Sequence, residues 1–258
     1  MKNLPLLYPE ERRSEILNRV SQVGRVSVVD LSQEFGVSPV TIRADLSLLA
    51  LESRIIRTHG GAVSVGQAPE LSLSLRRRQR IDEKERIGAA AAALVMNGEA
   101  VFLDTSSTAL AMARHLKKHR ELTVVTNSLA VAQVLLDAAG VTVVLPGGTL
   151  QKDTLSLVGT EGLALLDRYN LQKGFFGAHG LTLREGLTDV SAAVAEIKAA
   201  MLNRCRQIFA ILDHTKWGEV GLASFARLNQ VDEIITDDRA PADRVEQTQS
   251  MGVQVRLV

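Results

Sequence analysis

Three short segments rich in hydroxyl, amide or glycine residues each follow an apolar run that we predict to be a strand. Phosphate groups bind where hydroxyls and free backbone N–H groups meet at a helix start, and open α/β sheets bind ligands at the carboxyl ends of their strands. The segments therefore predict one anion-binding crevice, although ordinary helix capping by Ser, Thr and Asn explains each of them singly. They are Asp104-Thr105-Ser106-Ser107-Thr108, Thr126-Asn127-Ser128 and Pro146-Gly147-Gly148-Thr149.

Two lysines and two aspartates in the same part of the chain have the chemistry to complete such a crevice. Lys198 or Lys216 can pair with a phosphate as a point charge. Asp104 or Asp213 can accept hydrogen bonds from sugar hydroxyls. The alternatives are a solvated helix face for Lys198 and a cap of the following turn for Asp213.

The histidines and the cysteine of this region do not form a pattern typical of catalysis or of a metal site. His179 and His214 have no carboxylate at a spacing typical of a catalytic pair, so we expect polar loop residues. Cys205 is the only cysteine, so cysteines alone provide neither a disulfide nor a zinc site. The sequence therefore predicts ligand binding with no catalytic residue, no metal and no cofactor.

A second set of candidate contact residues lies near the N-terminus, at the start of a predicted helix. Ser38 is the predicted cap, and Pro39 occupies the first helical position, which fixes the first turn. The exposed side chains of such a turn suit the major groove of DNA, since arginine pairs with guanine and threonine contacts a phosphate or a thymine methyl. The candidate DNA-binding residues are Ser38, Val40, Thr41 and Arg43 on this helix, and Arg57 and His59 on a following hairpin, for the backbone or the minor groove.

The elements around these residues predict a winged helix-turn-helix in residues 1–65. Apolar Ile16, Leu17 and Val20 define a first helix over 10–22, and Asp30 is the predicted N-cap of a second helix. A third helix from Ser38 and strands over 54–57 and 62–65 complete the pattern. A winged helix can also bind proteins, and the nearly balanced charge of this segment leaves that alternative open.

Residues 66–81 are predicted to be a linker, and residues 82–258 a second domain. From residue 82 onward helical patterns alternate with apolar strands, which is typical of a mostly parallel sheet covered by helices on both faces. Predicted strands cover 100–103, 122–125, 141–145, 175–176, 207–212, 233–236 and 253–256. The predicted fold class is therefore α/β: an N-terminal winged helix-turn-helix followed by a Rossmann-like, mostly parallel α/β domain.

The composition of the 258-residue chain limits its partners. The formal net charge is +1, so any DNA contact depends on local placement of charge. The most apolar run, residues 87–95, is too short to cross a bilayer, and charged residues soon after the N-terminus argue against a signal peptide. We therefore expect a cytoplasmic protein with no membrane partner.

Two stretches of the N-terminal domain, VSPVTIRADLSLL and IIRTHGGAV, resemble the signature of the DeoR family of bacterial transcriptional regulators. Residues 75–240 resemble that family's effector domain, which is similar in fold to ribose phosphate isomerase; matching segments include Lys84-x-x-Ile87 and Asp213-His214-Thr215-Lys216. The resemblance implies a repressor of a carbohydrate-metabolism operon whose operator affinity falls when a phosphorylated sugar or related metabolite binds. A homo-oligomer, dimer or tetramer, is expected on operator double-stranded DNA, because paired half-sites add affinity.

The sequence departs from the family pattern in both domains. Ala44 replaces the second of two arginines, which suggests an altered operator preference or fewer phosphate contacts, and Ser53 replaces a glycine. The family's phosphate loop reads Asp-x-Gly-Thr-Thr, whereas this chain has Ser106 and Ser107 at the glycine and the first threonine. If that glycine requires a positive φ, Ser106 is strained by about 1 kcal/mol.

An enzyme is the alternative function, namely a sugar phosphate isomerase with an accessory winged-helix domain. Isomerisation requires a base near the substrate carbon and a cation that stabilises the enediolate. Asp104 or Asp213 with a lysine would supply these groups, but the sequence contains no clear acid–base pair.

Overall fold

The computed structural model describes residues 7–23, 25–52, 54–58, 60–64, 73–152, 154–159, 162, 166 and 169–258. Contacts between Cα atoms divide the chain into two compact units, residues 1–71 and residues 72–258. Each unit has its own apolar core, so each is described by itself.

The first unit packs three helices against a three-stranded antiparallel sheet, which is the architecture of a winged helix-turn-helix. The strand order is β1-β3-β2. The core is built from apolar residues at helical spacing, such as Ile16 and Val20 in the first helix and Ile42 and Leu46 in the third. The elements are α1 Pro9–Val23, β1 Arg25–Ser27, α2 Val28–Phe35, α3 Pro39–Leu51, β2 Ile55–Thr58 and β3 Gly61–Ser64.

The start of α2 differs from the sequence prediction. Ser27, not Asp30, is the N-cap, because Ser27 is extended (φ −105°, ψ 151°) and its hydroxyl accepts a hydrogen bond from the Asp30 N–H at 3.0 Å. Asp30 lies in the first turn, where a carboxylate interacts favourably with the helix dipole. The prediction missed this boundary because Val28 reads as the end of a strand, whereas it begins the helix and is buried.

The second unit contains a seven-stranded parallel sheet with the strand order β15-β14-β12-β9-β4-β5-β6. Its strands are β4 Ala100–Leu103, β5 Leu122–Thr126, β6 Val141–Val144, β9 Leu171–Phe176, β12 Cys205–Ile211, β14 Glu233–Thr236 and β15 Gln254–Leu257. The helices are α4 Leu73–Arg76, α5 Ile81–Ala92, α6 Ser107–His115, α7 Leu129–Leu135, α8 Ala192–Leu202 and α9 Ala242–Ser250.

Apolar cores cover both faces of this sheet, as predicted from its continuous apolar strands. Val101 and Leu103 of β4 pack in one core with α5, α6 and α7, while Phe102 packs in the other core with α8 and α9. The order of the strands reverses between β4 and β9, since the chain runs from β4 outward to β6 on one side and from β9 outward to β15 on the other. Such a switch point is where doubly wound sheets bind ligands.

Two small antiparallel sheets in the second unit were not predicted. One is the hairpin of β7 Thr149–Gln151 and β8 Ser156–Val158, and the other joins β10 Gly180–Thr182, β11 Gly186–Asp189 and β13 Ala223–Ala226. Their strands are three or four residues long, which is too short for a clear alternation of apolar and polar residues. Within the described part of the chain, no helix combines the length and the apolar character needed to span a bilayer.

Candidate functional site

Asp104 joins the two strand ends at the switch point of the large sheet. It directly follows β4, is fully buried, and accepts a hydrogen bond on Oδ1 from the Ser106 N–H at 2.9 Å. Its Oδ2 accepts one from the N–H of Gly177, the residue that directly follows β9, also at 2.9 Å. The Asp104 carboxylate therefore links two loops that are more than 70 residues apart in sequence and fixes their relative position.

Strain at Ser106 was expected only if this position required a positive φ, and the structure does not meet that condition. Ser106 has φ −76° and ψ 156° and is the N-cap of α6, with its hydroxyl accepting from the Ala109 N–H at 3.0 Å. The glycine that this loop pair requires is Gly177, since a Cβ there would lie 2.3 Å from the Ser106 Cβ. Ser107 and Thr108 lie buried in the first turn of α6.

Lys198 is buried and fully paired, so the alternative of a solvated helix face does not describe it. Its ammonium lies 2.9 Å from Asp104 Oδ2, 2.7 Å from Asp189 Oδ2 and 2.8 Å from the Gly177 carbonyl oxygen. The Phe225 ring centroid is 5.0 Å away. Burial acts to lower the pKa of Lys198, but the two carboxylates outweigh it and the pKa is raised. Because three oxygens already occupy its three N–H donors, Lys198 has none left for a phosphate.

The second predicted loop lies beneath the unpredicted β7–β8 hairpin. The Thr126 hydroxyl accepts from the Ser128 N–H at 3.1 Å, and Ser128 caps α7. The Asn127 amide donates to the Leu157 carbonyl at 3.2 Å, and the Asn127 carbonyl accepts from the Leu157 N–H at 2.8 Å. The Asn127 Oδ1 is buried and has no hydrogen-bond partner among the described residues. An acceptor without a partner in such a position is available to a bound hydroxyl group.

The same hairpin connects the first and third predicted loops. The Thr105 hydroxyl donates to the Thr154 carbonyl at 3.4 Å, just before β8. Gly147 and Gly148 precede β7, are exposed, and have φ of 84° and 118°. A Cβ at Gly148 would lie 2.4 Å from the Val158 carbonyl oxygen. Gly148 therefore allows the chain to pass close to the end of β8, and neither glycine lies with the buried hydroxyls.

Lys84 is a buried cation of this region that the sequence prediction did not assign to the site. It is 6% exposed, and its ammonium donates to the carbonyls of Arg76 at 2.7 Å and Gln79 at 2.6 Å. Burial lowers its pKa to about 8, which Asp213 only partly offsets. Lys84 has no carboxylate within ion-pair distance among the described residues, unlike Lys198. The signal was its place one helical turn before the buried Ile87, on the inward face of α5.

Asp213 follows β12 and caps a single turn of 3-10 helix, His214–Lys216, so the capping alternative describes its contacts. Its Oδ1 accepts from the Thr215 N–H at 3.1 Å and from the Thr215 hydroxyl. Burial acts to raise the pKa of Asp213, but Lys216, the hydrogen bonds from Thr215 and Lys84 outweigh it and the pKa is lowered. Asp213 is therefore ionised between two cations. We call the loops 104–108 and 126–128 with Gly177, Lys84 and 213–216 the strand-end cluster.

In the first unit, the start of α3 presents the predicted DNA-binding residues to solvent. Ser38 caps the helix by accepting from the Thr41 N–H at 3.1 Å, and the two hydroxyls lie 2.9 Å apart. Val40 is 71% exposed and Arg43 is exposed. The cap and Pro39 therefore fix the turn that carries these side chains.

Two other arginines position α3. Arg12 of α1 is 6% exposed and pairs with the buried Asp45 at 2.6 Å. Arg57 donates to the Ser47 hydroxyl at 2.6 Å and to the Arg43 carbonyl at 3.3 Å. Arg57 thus ties β2 to the exposed helix in addition to any contact with DNA. His59 lies outside the described residues.

Comparison with known families agrees with this division of the chain. The model of the DeoR-like helix-turn-helix domain matches residues 12–68. The model of the DeoR C terminal sensor domain matches residues 79–238.

Relatives are similar over nearly the full chain. The HTH-type transcriptional regulator GolR of Listeria innocua serovar 6a is 35% identical over 252 residues, which cover 97% of this chain and 99% of that protein. The glycerol-3-phosphate regulon repressor of Escherichia coli strain K12 is 30% identical over 247 residues, 96% of this chain and 98% of that protein. A solved ribose 5-phosphate isomerase from Methanocaldococcus jannaschii is 16% identical over 54% of this chain and 55% of that chain, with a TM-score of 0.41, which is too low to indicate a shared activity.

The isomerase alternative is not favoured, because the matched family models and the full-length relatives are those of transcriptional regulators. Asp104, its first candidate base, is already engaged by Ser106, Gly177 and Lys198. With both domain models matched and full-length relatives that are regulators, the chain belongs to the DeoR family of transcriptional regulators.

Proposed function

We propose that the strand-end cluster binds a phosphorylated sugar or a related metabolite, and that this binding lowers the affinity of the repressor for its operator. The observation that carries the proposal is the buried Lys84 ammonium, which contacts two carbonyl oxygens and no carboxylate of the described residues. A buried cation whose charge is only partly offset by a nearby carboxylate is unfavourable, so an anion bound beside it is stabilised.

The chemistry of the cluster suits a phosphate at one end of the ligand and hydroxyl groups at the other. Lys84 and Lys216 supply positive charge, and the first N–H groups of α6, at Ser107 and Thr108, lack acceptors within the helix. Asp213 and the unpartnered Asn127 Oδ1 are acceptors for sugar hydroxyls. The name of the Escherichia coli relative, which refers to a glycerol-3-phosphate regulon, supports an organic phosphate as the signal.

The proposed DNA contacts lie at the start of α3. Ser38 and the helix N–H groups would bind a phosphate, Arg43 a guanine, and Thr41 and Val40 the neighbouring groove edge. We further propose a cytoplasmic homodimer or tetramer that reads paired half-sites. Since a ligand shifts an equilibrium only through its different affinities for two states, the metabolite must bind better to the arrangement that holds operator DNA weakly.

Thermal unfolding of the full-length protein with a panel of phosphosugars, each beside its unphosphorylated parent, tests the proposed site. A ligand at about 100 times its Kd adds about 2.7 kcal/mol of stability, so one phosphosugar should raise the Tm while its parent does not. Lys84→Gln should remove that shift, and Lys118→Gln, at an exposed lysine, should retain it. If no phosphosugar raised the Tm, or if Lys84→Gln kept the full shift, the proposed site would be wrong.

A gel-shift titration tests the link between the two units. The protein should retard its own promoter region at low salt, and the phosphosugar that raises the Tm should increase the protein concentration needed for half-maximal retardation. Retardation that the same ligand left unchanged would contradict the proposed regulation while leaving the binding site intact.

A further inference from the structure

The second unit, residues 72–258, is called the sensor unit from here on. Outside the strand-end cluster it contains a cavity of about 210 Å³, which lies between the β10–β11 hairpin, the segment after Lys216 and helix α9. None of its lining residues belongs to the strand-end cluster. Its apolar walls are Leu181, Leu183 and the ring of Trp217, and its polar groups come from Arg244, Gln247 and Thr248 on α9.

One hydroxyl that lines this cavity is buried and unpaired. Thr248 is 1% exposed, and its hydroxyl has no hydrogen-bond partner among the described residues. Buried hydroxyls are nearly always paired, so one that lines a cavity and is not paired indicates an absent partner. The hydroxyl is both donor and acceptor, and it is therefore suited to an oxygen of a bound molecule.

Arg244 places a positive charge at the same cavity. Gly218 has φ +88°, and a Cβ at that position would lie 1.4 Å from a terminal nitrogen of Arg244, so the missing side chain is what allows the guanidinium to lie there. Arg244 has no ion pair within the described part of the chain. A guanidinium fork without an acidic partner is a site for a carboxylate, which it binds through two parallel hydrogen bonds.

We propose that this cavity binds a small organic carboxylate with an apolar body. The carboxylate would pair with Arg244, one of its oxygens would meet Thr248, and the body would pack on Trp217 and Leu181. A cavity of about 210 Å³ suits a compact metabolite. A phosphosugar fits poorly, since its hydroxyls would face the two leucines and the indole.

Trp217 is the only tryptophan of the 258-residue chain and lines this cavity, so a fluorescence titration can detect ligand binding there. We would titrate the full-length protein with phenylacetate, and with 2-phenylethanol and 2-phenylethylamine as neutral and cationic controls of similar shape. Phenylacetate should produce a saturable change, with an apparent Kd at least tenfold lower than that of either control. Equal responses to the three probes, or no saturable response, would overturn the proposal.

Substitutions in the cavity wall test whether the fluorescence signal arises there. Arg244→Gln should weaken phenylacetate binding at least tenfold and Thr248→Val severalfold, while Arg120→Gln, at an exposed arginine elsewhere, should leave it unchanged. Thermal melts without ligand identify any variant that fails to fold. If Arg244→Gln fails to fold, Thr248→Val, which has nearly the same shape as the original side chain, still tests the proposal.

Two further outcomes would show that the change in Trp217 fluorescence does not arise from phenylacetate bound in this cavity. Competition by inorganic phosphate together with loss in Lys84→Gln would assign it to the strand-end cluster. A signal that depended on protein dilution but not on phenylacetate would mean that a second copy of the chain covers the cavity. Either result would overturn the proposal.

Discussion

Two buried lysines of the sensor unit, Lys198 and Lys84, have opposite electrostatic surroundings. Lys198 contacts two carboxylates and a carbonyl, so its charge is more than neutralised. Lys84 contacts only carbonyl oxygens among the described residues, and its charge is only partly offset by the more distant Asp213. The pKa is raised for the first and lowered to about 8 for the second. The comparison indicates that Lys198 holds the fold together, whereas Lys84 is free to respond to an anion.

The largest expected effect is that of Lys198→Met. The substitution leaves Asp104 and Asp189 as buried charges without a cation, and breaking a buried ion pair on one side costs about 3–5 kcal/mol. Urea unfolding followed by Trp217 fluorescence measures the loss in the sensor unit. Lys118→Met, at an exposed lysine, is the control, and a loss no larger than that of the control would remove the distinction between the two lysines.

The pH dependence of stability is the next effect in size and concerns Lys84. Because its pKa falls from 10.5 to about 8 on folding, the unfolded state binds more protons between those values, and stability therefore rises with pH. A shift of this size corresponds to about 3 kcal/mol, which is a penalty below pH 8 and is relieved toward pH 10.5. The difference in unfolding free energy between the protein and Lys84→Gln should follow this curve. A difference that is flat from pH 7 to 10.5 would contradict it.

Binding of the phosphosugar should favour the protonated form of Lys84, since a phosphate stabilises the charged amine. Affinity for the phosphosugar should therefore fall as pH rises above 8 in the unmodified protein. In Lys84→Gln the weaker residual affinity should lose this dependence. Calorimetric titration at pH 7 and pH 9 measures both.

The two lysines also show how far the sequence predicts the structure. The helical spacing of apolar residues and the continuous apolar runs predicted most helices and a mostly parallel sheet covered on both faces, because these patterns are local. The loops after β4 and β5 lie at the same edge of the sheet, as parallel strands require, whereas Gly147 and Gly148 do not lie with them. The partners of Lys198 were not predicted, because Asp104 lies 94 residues away and only the switch point between β4 and β9 brings the two together. The β7–β8 hairpin was missed because its strands have only three residues each, which is too short for a clear alternation of apolar and polar residues.

The first unit offers a similar comparison between two arginines, since Arg43 is exposed whereas Arg57 is hydrogen-bonded to Ser47. Arg43→Ala should reduce operator affinity by about 1–3 kcal/mol, the range of a bidentate contact to a base. Its effect on a duplex of scrambled sequence should be smaller. Arg57→Ala removes a side chain that positions α3 through Ser47, so it should weaken both duplexes alike. Equal losses on both duplexes for Arg43→Ala would show that it contacts phosphates and does not read sequence.

The smallest expected effect tests whether Ser106 is strained in the loop of residues 104–108. If Ser106 occupied a position that requires glycine, Ser106→Gly would stabilise the sensor unit by about 1 kcal/mol. The structure predicts the opposite sign, since φ is −76° and the hydroxyl caps α6. Replacing a serine cap by glycine costs only a few tenths of a kcal/mol, and replacing it by alanine about 1 kcal/mol. The stability order should therefore be Ser106, then Ser106→Gly, then Ser106→Ala in urea unfolding. A glycine variant more stable than the serine protein would mean that the loop is strained, and a ligand that relieved the strain would then bind more tightly to the serine protein than to the variant.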